Sequence, residues 1–243
     1  MIQTEGIFNG GSDIAAPIIG KDFNWTGGDG TYQVLDDGGE NWRIKFLSSG
    51  TFTPLRNMVI DAFLVGAGGC KGCTHCGAGG SGYTTTVRSI VLAANTAYQI
   101  TIGAAGINPT KAGTDGVDGG TTSAFAASAL GGKGSLAGSS SARKPGADGG
   151  SGGGGVNISG VHVNSSTAAG GTDGEDGTTA TTAGGTGQGT TTREFGETDG
   201  DLYASGGGDN LTATVPNSGN GGAYNIAPAD GIVVIRQHKE AAA

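Results

Sequence analysis

The chain has 243 residues, of which 53 are glycine, and only 35% of its residues are hydrophobic. Glycine has no side chain to bury, so this composition excludes a protein held together by a conventional hydrophobic core throughout. The formal net charge of −8 would repel the phosphate backbone of nucleic acid, and no stretch approaches the ~18 apolar residues that a membrane span needs. We therefore expect neither a nucleic-acid partner nor a membrane span.

The sequence predicts two parts of unequal length. Residues 1–30 are expected to be an N-terminal extension that attaches the protein to a partner, and residues 31–243 to be a single domain, because no stretch has the composition of an interdomain linker.

The first strands are predicted to supply most of the conventional core. In Asn41–Phe46 apolar residues alternate with polar or charged ones, which is typical of a half-buried strand. The run Tyr32–Leu35 is expected to pair with it across the turn-like residues 36–39. Met58–Val65 is short and nearly continuously apolar, which predicts a strand covered on both faces.

Later strands are predicted on both sides of the longest glycine-rich region. Tyr83–Leu92 and Ala97–Ile102 are separated by four residues and are predicted to form a hairpin. Residues 231–236 predict a second buried strand near the C-terminus. Ser123–Leu130 is the one candidate helix, and it is short.

Glycine tracts follow residue 65, and locally they repeat every third residue. The clearest series are Gly66, Gly69 and Gly72, and Gly146, Gly149, Gly152 and Gly155. An extended helix with three residues per turn, polyglycine II, would place each series on one edge and let neighbouring helices pair their N–H and C=O groups. The broken period and the six prolines exclude collagen, and the strand-like runs between the tracts argue against a disordered linker.

These patterns together predict an all-β fold. Its parts would be an antiparallel β-sandwich and a glycine-rich insertion, between residues 103 and 231, that forms a polyglycine II helix bundle on the end of the sandwich. Loops at the tips of the bundle would carry the side chains available for recognition.

All three cysteines lie within seven residues, in the run Cys70-Lys71-Gly72-Cys73-Thr74-His75-Cys76. The side chains of Cys70, Cys73, His75 and Cys76 are four donors that suit tetrahedral zinc. Structural zinc sites usually join two separated ligand pairs, so two alternatives stay open. One is a disulfide of Cys70 with Cys73 or of Cys73 with Cys76, and the other is free thiols.

Acidic and aromatic residues in the second half of the chain are candidates for a catalytic or a binding site. Glu194 and Glu197 could flank a glycosidic bond, but distinct pKa values require an enclosed cleft, and this chain has few large side chains to build one. No enzyme is predicted. The aromatic residues Phe195, Tyr203 and Tyr224 could contact sugars or proteins, or could fill the junction between sandwich and bundle, which we favour.

Several runs resemble the glycine-rich domains of phage and prophage tail proteins. They are Phe63–Gly69, Gly79–Thr86, Ala97–Gly103, Gly187–Gly196 and Asp230–Arg236. The resemblance covers roughly residues 30–240, and residues 190–196 are its most specific part. This chain departs from the pattern at Cys70–Cys76, where relatives commonly carry an unbroken glycine run.

The resemblance implies a non-enzymatic tail protein on the exterior of a phage or phage-like particle, outside the host cell. A rigid domain would present variable loops to a bacterial cell-surface receptor, with other tail proteins as partners and a homo-oligomer, a trimer being favoured. The alternative is a purely structural fibre, head-decoration or extracellular-filament subunit. Candidate receptor contacts are Asn108, Thr110, Lys111, Ser140, Arg143 and Lys144.

Overall fold

A computed structural model describes residues 16–38, 41–72, 74–158, 161–163, 183–186, 192–208 and 214–238. The described residues form twelve strands and one turn of 3-10 helix at Glu194–Gly196. In chain order the strands are β1 (Phe23–Trp25), β2 (Tyr32–Gly38), β3 (Asn41–Phe46), β4 (Gly50–Pro54), β5 (Met58–Val65), β6 (Thr84–Leu92), β7 (Tyr98–Thr101), β8 (Thr122–Ala124), β9 (Ala127–Ala129), β10 (Val156–Ile158), β11 (Val161–Val163) and β12 (Ile232–Gln237).

Two five-stranded antiparallel sheets form the sandwich, which confirms the predicted all-β fold. One sheet has the order β1-β4-β7-β8-β9, and the other has the order β2-β3-β12-β5-β6. Strands β10 and β11 form a separate hairpin. The core between the sheets is aromatic at its centre. The ring centroid of Phe52 lies 5.5 Å from that of Phe23 and 5.5 Å from that of Phe46.

The predicted pairing and burial of the central strands are confirmed. Tyr32 lies opposite Phe46 in the β2–β3 pair, and β3 alternates between buried and half-buried residues. Strand β12 is covered on both faces: Val233 and Ile235 pack between the sheets, whereas Val234 packs on the outer side with Phe63. Strand β5 is covered in the same way: Ile60, Ala62 and Leu64 pack between the sheets, and Phe63 and Val65 pack on the outer side.

The predicted hairpin between Tyr83–Leu92 and Ala97–Ile102 is wrong. Strand β6 pairs with β5 in one sheet, and β7 pairs with β4 in the other. The short connection therefore carries the chain from one sheet to the other, with Asn95 at a positive φ of 58°. Leu92 and Ile100 are both fully buried, because each strand turns its apolar face into the core between the two sheets. Burial of both apolar faces therefore outweighs direct pairing of β6 with β7.

Ser123–Leu130, the one helix candidate in the sequence, forms the β8–β9 hairpin instead. Phe125 and Ala126 occupy its turn with φ values of 52° and 61°, as a two-residue hairpin turn requires. The ring of Phe125 packs 5.9 Å from that of Tyr98, and this contact compensates for the left-handed backbone.

The N-terminal segment enters the fold before residue 31. Residues 23–25, which lie within the expected extension, form β1 and pair with β4, and Phe23 is fully buried. Residues 1–15 lie outside the described part of the chain.

The glycine tracts form a bundle of extended segments joined by main-chain hydrogen bonds. We call residues 66–72, 77–83, 103–106, 116–120, 130–135, 144–154, 183–186, 204–207, 218–222 and 229–231 the glycine bundle. Along segment 77–83, successive N–H groups donate to different neighbouring segments, and every third N–H group donates to the same segment. Gly80 and Tyr83 donate to Lys133 and Leu130, Ala78 and Ser81 donate to Gly154 and Ser151, and Gly79 and Gly82 donate to Gly222 and Gly219, all over 2.8–3.0 Å.

A period of three is the hydrogen bonding expected of polyglycine II. The close approach of neighbouring segments also explains why these positions are glycine. A Cβ atom on Gly82 would overlap the main chain of Gly66, and one on Gly79 would overlap the main chain of Gly69. Segments 66–72 and 77–83 lie inside the bundle although they precede the predicted insertion.

The bundle leaves the sandwich at one end. Strand β5 runs directly into residue 66, residue 83 runs directly into β6, and residue 231 runs directly into β12. Because β5 is antiparallel to both β6 and β12, these three junctions lie at the same end of the sheet.

Candidate functional site at the loop end of the glycine bundle

The far end of the bundle carries several loops. Residues 66–72 lead away from the sandwich and residues 77–83 return to it, so the cysteine loop at 71–76 lies at the remote end. At about 3.1 Å per residue, that end is roughly 20 Å from the sheet. We define the loop end as the described residues of the cysteine loop, 71–72 and 74–76, loops 107–114 and 138–144, and the turn at 223–226.

Loop 138–144 is held beside the cysteine loop by main-chain bonds. Gly138 N–H donates to the Thr74 carbonyl over 3.0 Å, and Lys144 N–H donates to the His75 carbonyl over 3.1 Å. Thr74 and His75 have positive φ values of 74° and 47°, which turn their carbonyls toward that loop. The two loops therefore form one continuous surface.

Cys70 connects the cysteine loop to loop 107–114. Its thiol is fully buried, donates to the Ile107 carbonyl over 3.0 Å and accepts the Val117 N–H over 2.9 Å. Burial raises the pKa of the Cys70 thiol, so the sulfur stays protonated at neutral pH. In this state Cys70 acts as a structural link between loops.

Cys76 is also a buried free thiol, but it faces different groups. Its Sγ donates to the Gly72 carbonyl over 2.9 Å, and Lys71 Nζ lies 3.3 Å from it. No group of three or more His, Cys, Asp or Glu residues in the described ranges is placed to hold a metal ion. Cys73 lies outside those ranges, so the four-ligand zinc prediction stays a prediction.

All six candidate receptor contacts lie at the loop end. Asn108, Thr110, Lys111 and Ser140 are exposed, and Arg143 and Lys144 are half-buried. The Nε atom of Arg143 is buried and has no hydrogen-bond partner in the described part of the protein.

The three aromatic residues considered from the sequence separate into two groups. Phe195 and Tyr203 are buried against Phe63, with ring centroids 6.2 and 5.6 Å away, so they fill the junction as expected. Tyr224 is 75% exposed and lies in the tight turn at 223–226, beside Asn225 with a φ of 61°. Gly222, next to this turn, accepts Gly79 N–H and donates to Gly69, which places Tyr224 at the loop end.

A second polar site lies on the outer face of the β2-β3-β12-β5-β6 sheet. Glu194 is buried there, where it accepts the Tyr203 hydroxyl over 2.7 Å and pairs with Lys45 Nζ over 2.7 Å and with Arg43. Burial and the neighbouring Glu194 carboxylate raise the pKa of Tyr203, so the phenol stays neutral. This network fixes the segment from Thr192 to Tyr203 against the sandwich.

Asp61 forms a related network on β5. Its carboxylate is fully buried and lies 3.2 Å from Arg236 Nε, 3.2 Å from Arg88 Nη1 and 2.6 Å from His238 Nδ1. Burial alone would raise the pKa of Asp61, but the hydrogen bonds from His238, the Ser89 amide and Arg236 outweigh burial and lower it. The only sequence signal for this network was a single aspartate inside an apolar strand.

A cleft of about 310 Å³ lies beside these networks. Among its lining residues, Asp37 pairs with Arg43 at 2.8 Å, and Glu197 pairs with Arg236 at 2.6 Å. Glu194 and Glu197, the acid pair considered for glycoside hydrolysis, are each bound to arginine. These ion pairs join the segment around the 3-10 turn to strands β3 and β12.

The described residues contain no helix long and apolar enough to cross a membrane. A comparison with curated proteins found no match. The family model described as a glycine-rich domain matches residues 47–236, a span that contains the glycine bundle and the whole loop end. The match covers well over half of the chain, and we conclude that this protein belongs to the glycine-rich domain family.

Proposed function

We propose that this protein is a non-enzymatic component of a phage or phage-like tail, and that its loop end contacts a receptor on the bacterial surface. The observation that carries the proposal is the period of three in the main-chain hydrogen bonds, which holds four loops at one end of a bundle. Loops fixed in this way lose little conformational entropy when they bind, so rigidity favours recognition. The resemblance to tail proteins supplies the biological setting.

The opposite end of the molecule supports attachment to other tail proteins. Leu55 N–H donates to the Asp22 carbonyl, and Asn95 N–H donates to the Pro54 carbonyl, so residues 18–22 lie beside the ends of β5 and β6 that are remote from the bundle. Ile18 and Ile19 are 53% and 43% exposed there. An apolar pair at the entry of the N-terminal segment suits a contact with a neighbouring subunit. We assign tail proteins, or copies of this chain in a trimer, to this end.

Binding of labelled protein to intact host cells tests the proposal. The triple variant Asn108→Ala, Thr110→Ala, Lys111→Ala removes side chains from one loop, and we expect the dissociation constant to rise about tenfold. The matched control, Gln33→Ala with Thr86→Ala, changes exposed residues on the sandwich outside both proposed contact surfaces and should alter binding less than about twofold.

Two outcomes would contradict the receptor-binding proposal. Equal loss of binding in both variants would show that the loop end is not the contact surface. Absence of cell binding, combined with assembly of the purified protein into filaments without host material, would favour the purely structural alternative.

We further propose that zinc occupies the cysteine loop through Cys70, Cys73, His75 and Cys76. Cys70 and Cys76 are free thiols at the same end of the bundle. Because the described donors Cys70, His75 and Cys76 do not form a group that could hold a metal ion, zinc binding would require the loop to rearrange and the Cys70 thiol to lose its proton. Elemental analysis of the purified protein should give about one zinc per chain. Cys73→Ser should lower the zinc content, whereas zinc-free protein with three titratable thiols after denaturation would refute the site.

A further inference from the structure

We propose that the receptor component bound by the loop end is an acidic polysaccharide. This inference rests on the proposed role of the loop end in host contact and names the chemistry of its partner. It depends on the distribution of charge, on which cations are neutralised within the protein, and on the polar and aromatic groups that accompany them.

Positive charge is concentrated in three loops. The chain has 13 lysines and arginines against 21 acidic residues. Loops 71–76, 107–114 and 138–144 nevertheless contain four of the cations, Lys71, Lys111, Arg143 and Lys144, and no aspartate or glutamate. Asp115 directly follows loop 107–114, and its carboxylate accepts the Ala137 N–H over 2.7 Å beside loop 138–144. With this one neighbouring carboxylate against four cations, the three loops still carry a positive balance in an acidic protein.

The cations of the loop end differ from those elsewhere in their partners. Six of the eight described cations outside the loop end form salt bridges with carboxylates, the exceptions being Lys21 and Arg193; the six are Arg43, Lys45, Arg56, Arg88, Lys133 and Arg236. Lys71, Lys111, Arg143 and Lys144 form none with any carboxylate in the described part of the chain. Their charge is therefore available to a negatively charged partner.

Lys71 and the main chain of Lys144 both lie beside Cys76. Lys71 Nζ lies 3.3 Å from Cys76 Sγ. Lys144 lies beside the same residue, because its N–H donates to His75 and its carbonyl accepts the Gly77 N–H over 3.0 Å. Arg143 precedes Lys144 and has a buried, unpaired Nε. Because that Nε donor is buried and does not reach a ligand at the surface, Arg143 contributes its positive charge to the loop end.

The surrounding groups favour a polysaccharide over nucleic acid. Tyr224 is 75% exposed at the same end, and Asn108 and Ser139–Ser141 present amide and hydroxyl groups of the kind that hydrogen-bond sugar hydroxyls. The net charge of −8 disfavours a long polymer with a phosphate at every residue. A duplex carries one phosphate charge per about 1.7 Å, whereas a polyuronate such as alginate carries one carboxylate per sugar, and this lower charge density suits both the basic loops and the acidic protein as a whole.

The test uses immobilised alginate as a carboxylated polysaccharide, dextran as a neutral one, and a DNA duplex. The full-length protein should bind alginate at low ionic strength, bind dextran and DNA more weakly, and lose affinity for alginate as salt is added. The variant Lys111→Gln, Arg143→Gln, Lys144→Gln should bind alginate roughly tenfold more weakly. The control variant Gln33→Glu, Thr86→Glu, Ser128→Glu changes the net charge by the same amount at exposed positions of the sandwich and should change affinity less than about twofold.

Equal affinity for alginate and dextran, tighter binding of DNA, or equal losses in both triple variants would overturn the inference. Measurements on host cells separate this result from the proposed function. Cell binding that survives the Lys111→Gln, Arg143→Gln, Lys144→Gln variant would refute the acidic partner while leaving host contact intact. Alginate binding by a protein that does not bind cells would refute host contact instead.

Discussion

Replacing Gly82 by alanine is expected to destabilise the glycine bundle more than any change at its surface. A Cβ atom at this position would overlap the Gly66 carbonyl, and the obstacle is main chain that cannot rotate away. Segments 66–72 and 77–83 would have to separate, which would weaken the Gly82–Gly219 and Gly66–Tyr83 hydrogen bonds. We expect the free energy of unfolding, measured by urea denaturation, to fall by roughly 3 kcal/mol or more.

Gly113→Ala is the matched control for this prediction. Gly113 has no atom within 4 Å of its would-be Cβ, and its φ of 78° costs an alanine only about 1–2 kcal/mol. Amide hydrogen exchange gives a second measurement, since residues 77–83 should exchange slowly in the native protein and faster in Gly82→Ala. Exchange at random-coil rates in the native bundle, or equal losses of stability in the two variants, would contradict the hydrogen-bonded arrangement.

Replacing Asp61 by asparagine is expected to have the second large effect. Asp61 is fully buried and is the carboxylate shared by Arg236, Arg88 and His238, so its loss leaves Arg236, itself only 7% exposed, with a weaker partner. Removing one member of a buried ion network costs about 3–5 kcal/mol. Thermal or urea denaturation at neutral pH measures the loss.

The pH dependence provides the diagnostic for Asp61. Its pKa is lowered in the folded state, so its contribution is present above the unfolded pKa of about 3.9 and is lost as the pH falls through the folded value. The difference between the native protein and Asp61→Asn should therefore be largest near neutral pH and shrink below about pH 4. Asp118→Asn, which breaks an exposed pair with Lys133, should cost less than about 1 kcal/mol. A difference for Asp61→Asn that does not change with pH would assign the effect to packing.

Local sequence patterns were sufficient for the central strands. The alternation in β3 and the continuous apolar runs of β5 and β12 depend only on which faces of each strand are buried, and the structure confirms all three. The glycine series likewise predicted main-chain pairing with a period of three, because only glycine permits such close approach of neighbouring segments.

Contacts between distant residues could not be predicted in this way. Strands β6 and β7 look like a hairpin locally, yet they lie in different sheets because their pairing partners come from elsewhere in the chain. Phe125 lies in a turn because its ring packs on Tyr98 and Phe52, and this contact outweighs the preference of the backbone. The candidate site shows the same limit: the sequence indicated two tip loops and the cysteine run but not their union at one end.

Composition and glycine spacing were enough to identify the kind of molecule, a small β-sandwich core and a second half held together by its main chain. Segments rich in glycine have few side chains to bury, so main-chain hydrogen bonds must hold them together. The tertiary structure decided which loops meet and which charges are neutralised. Lys45 and Lys144 are equivalent as sequence letters, but Lys45 lies against Glu194 and Lys144 faces no described carboxylate. Charge pairing depends on distances of a few ångströms between residues far apart in the chain, and only the folded structure fixes those distances.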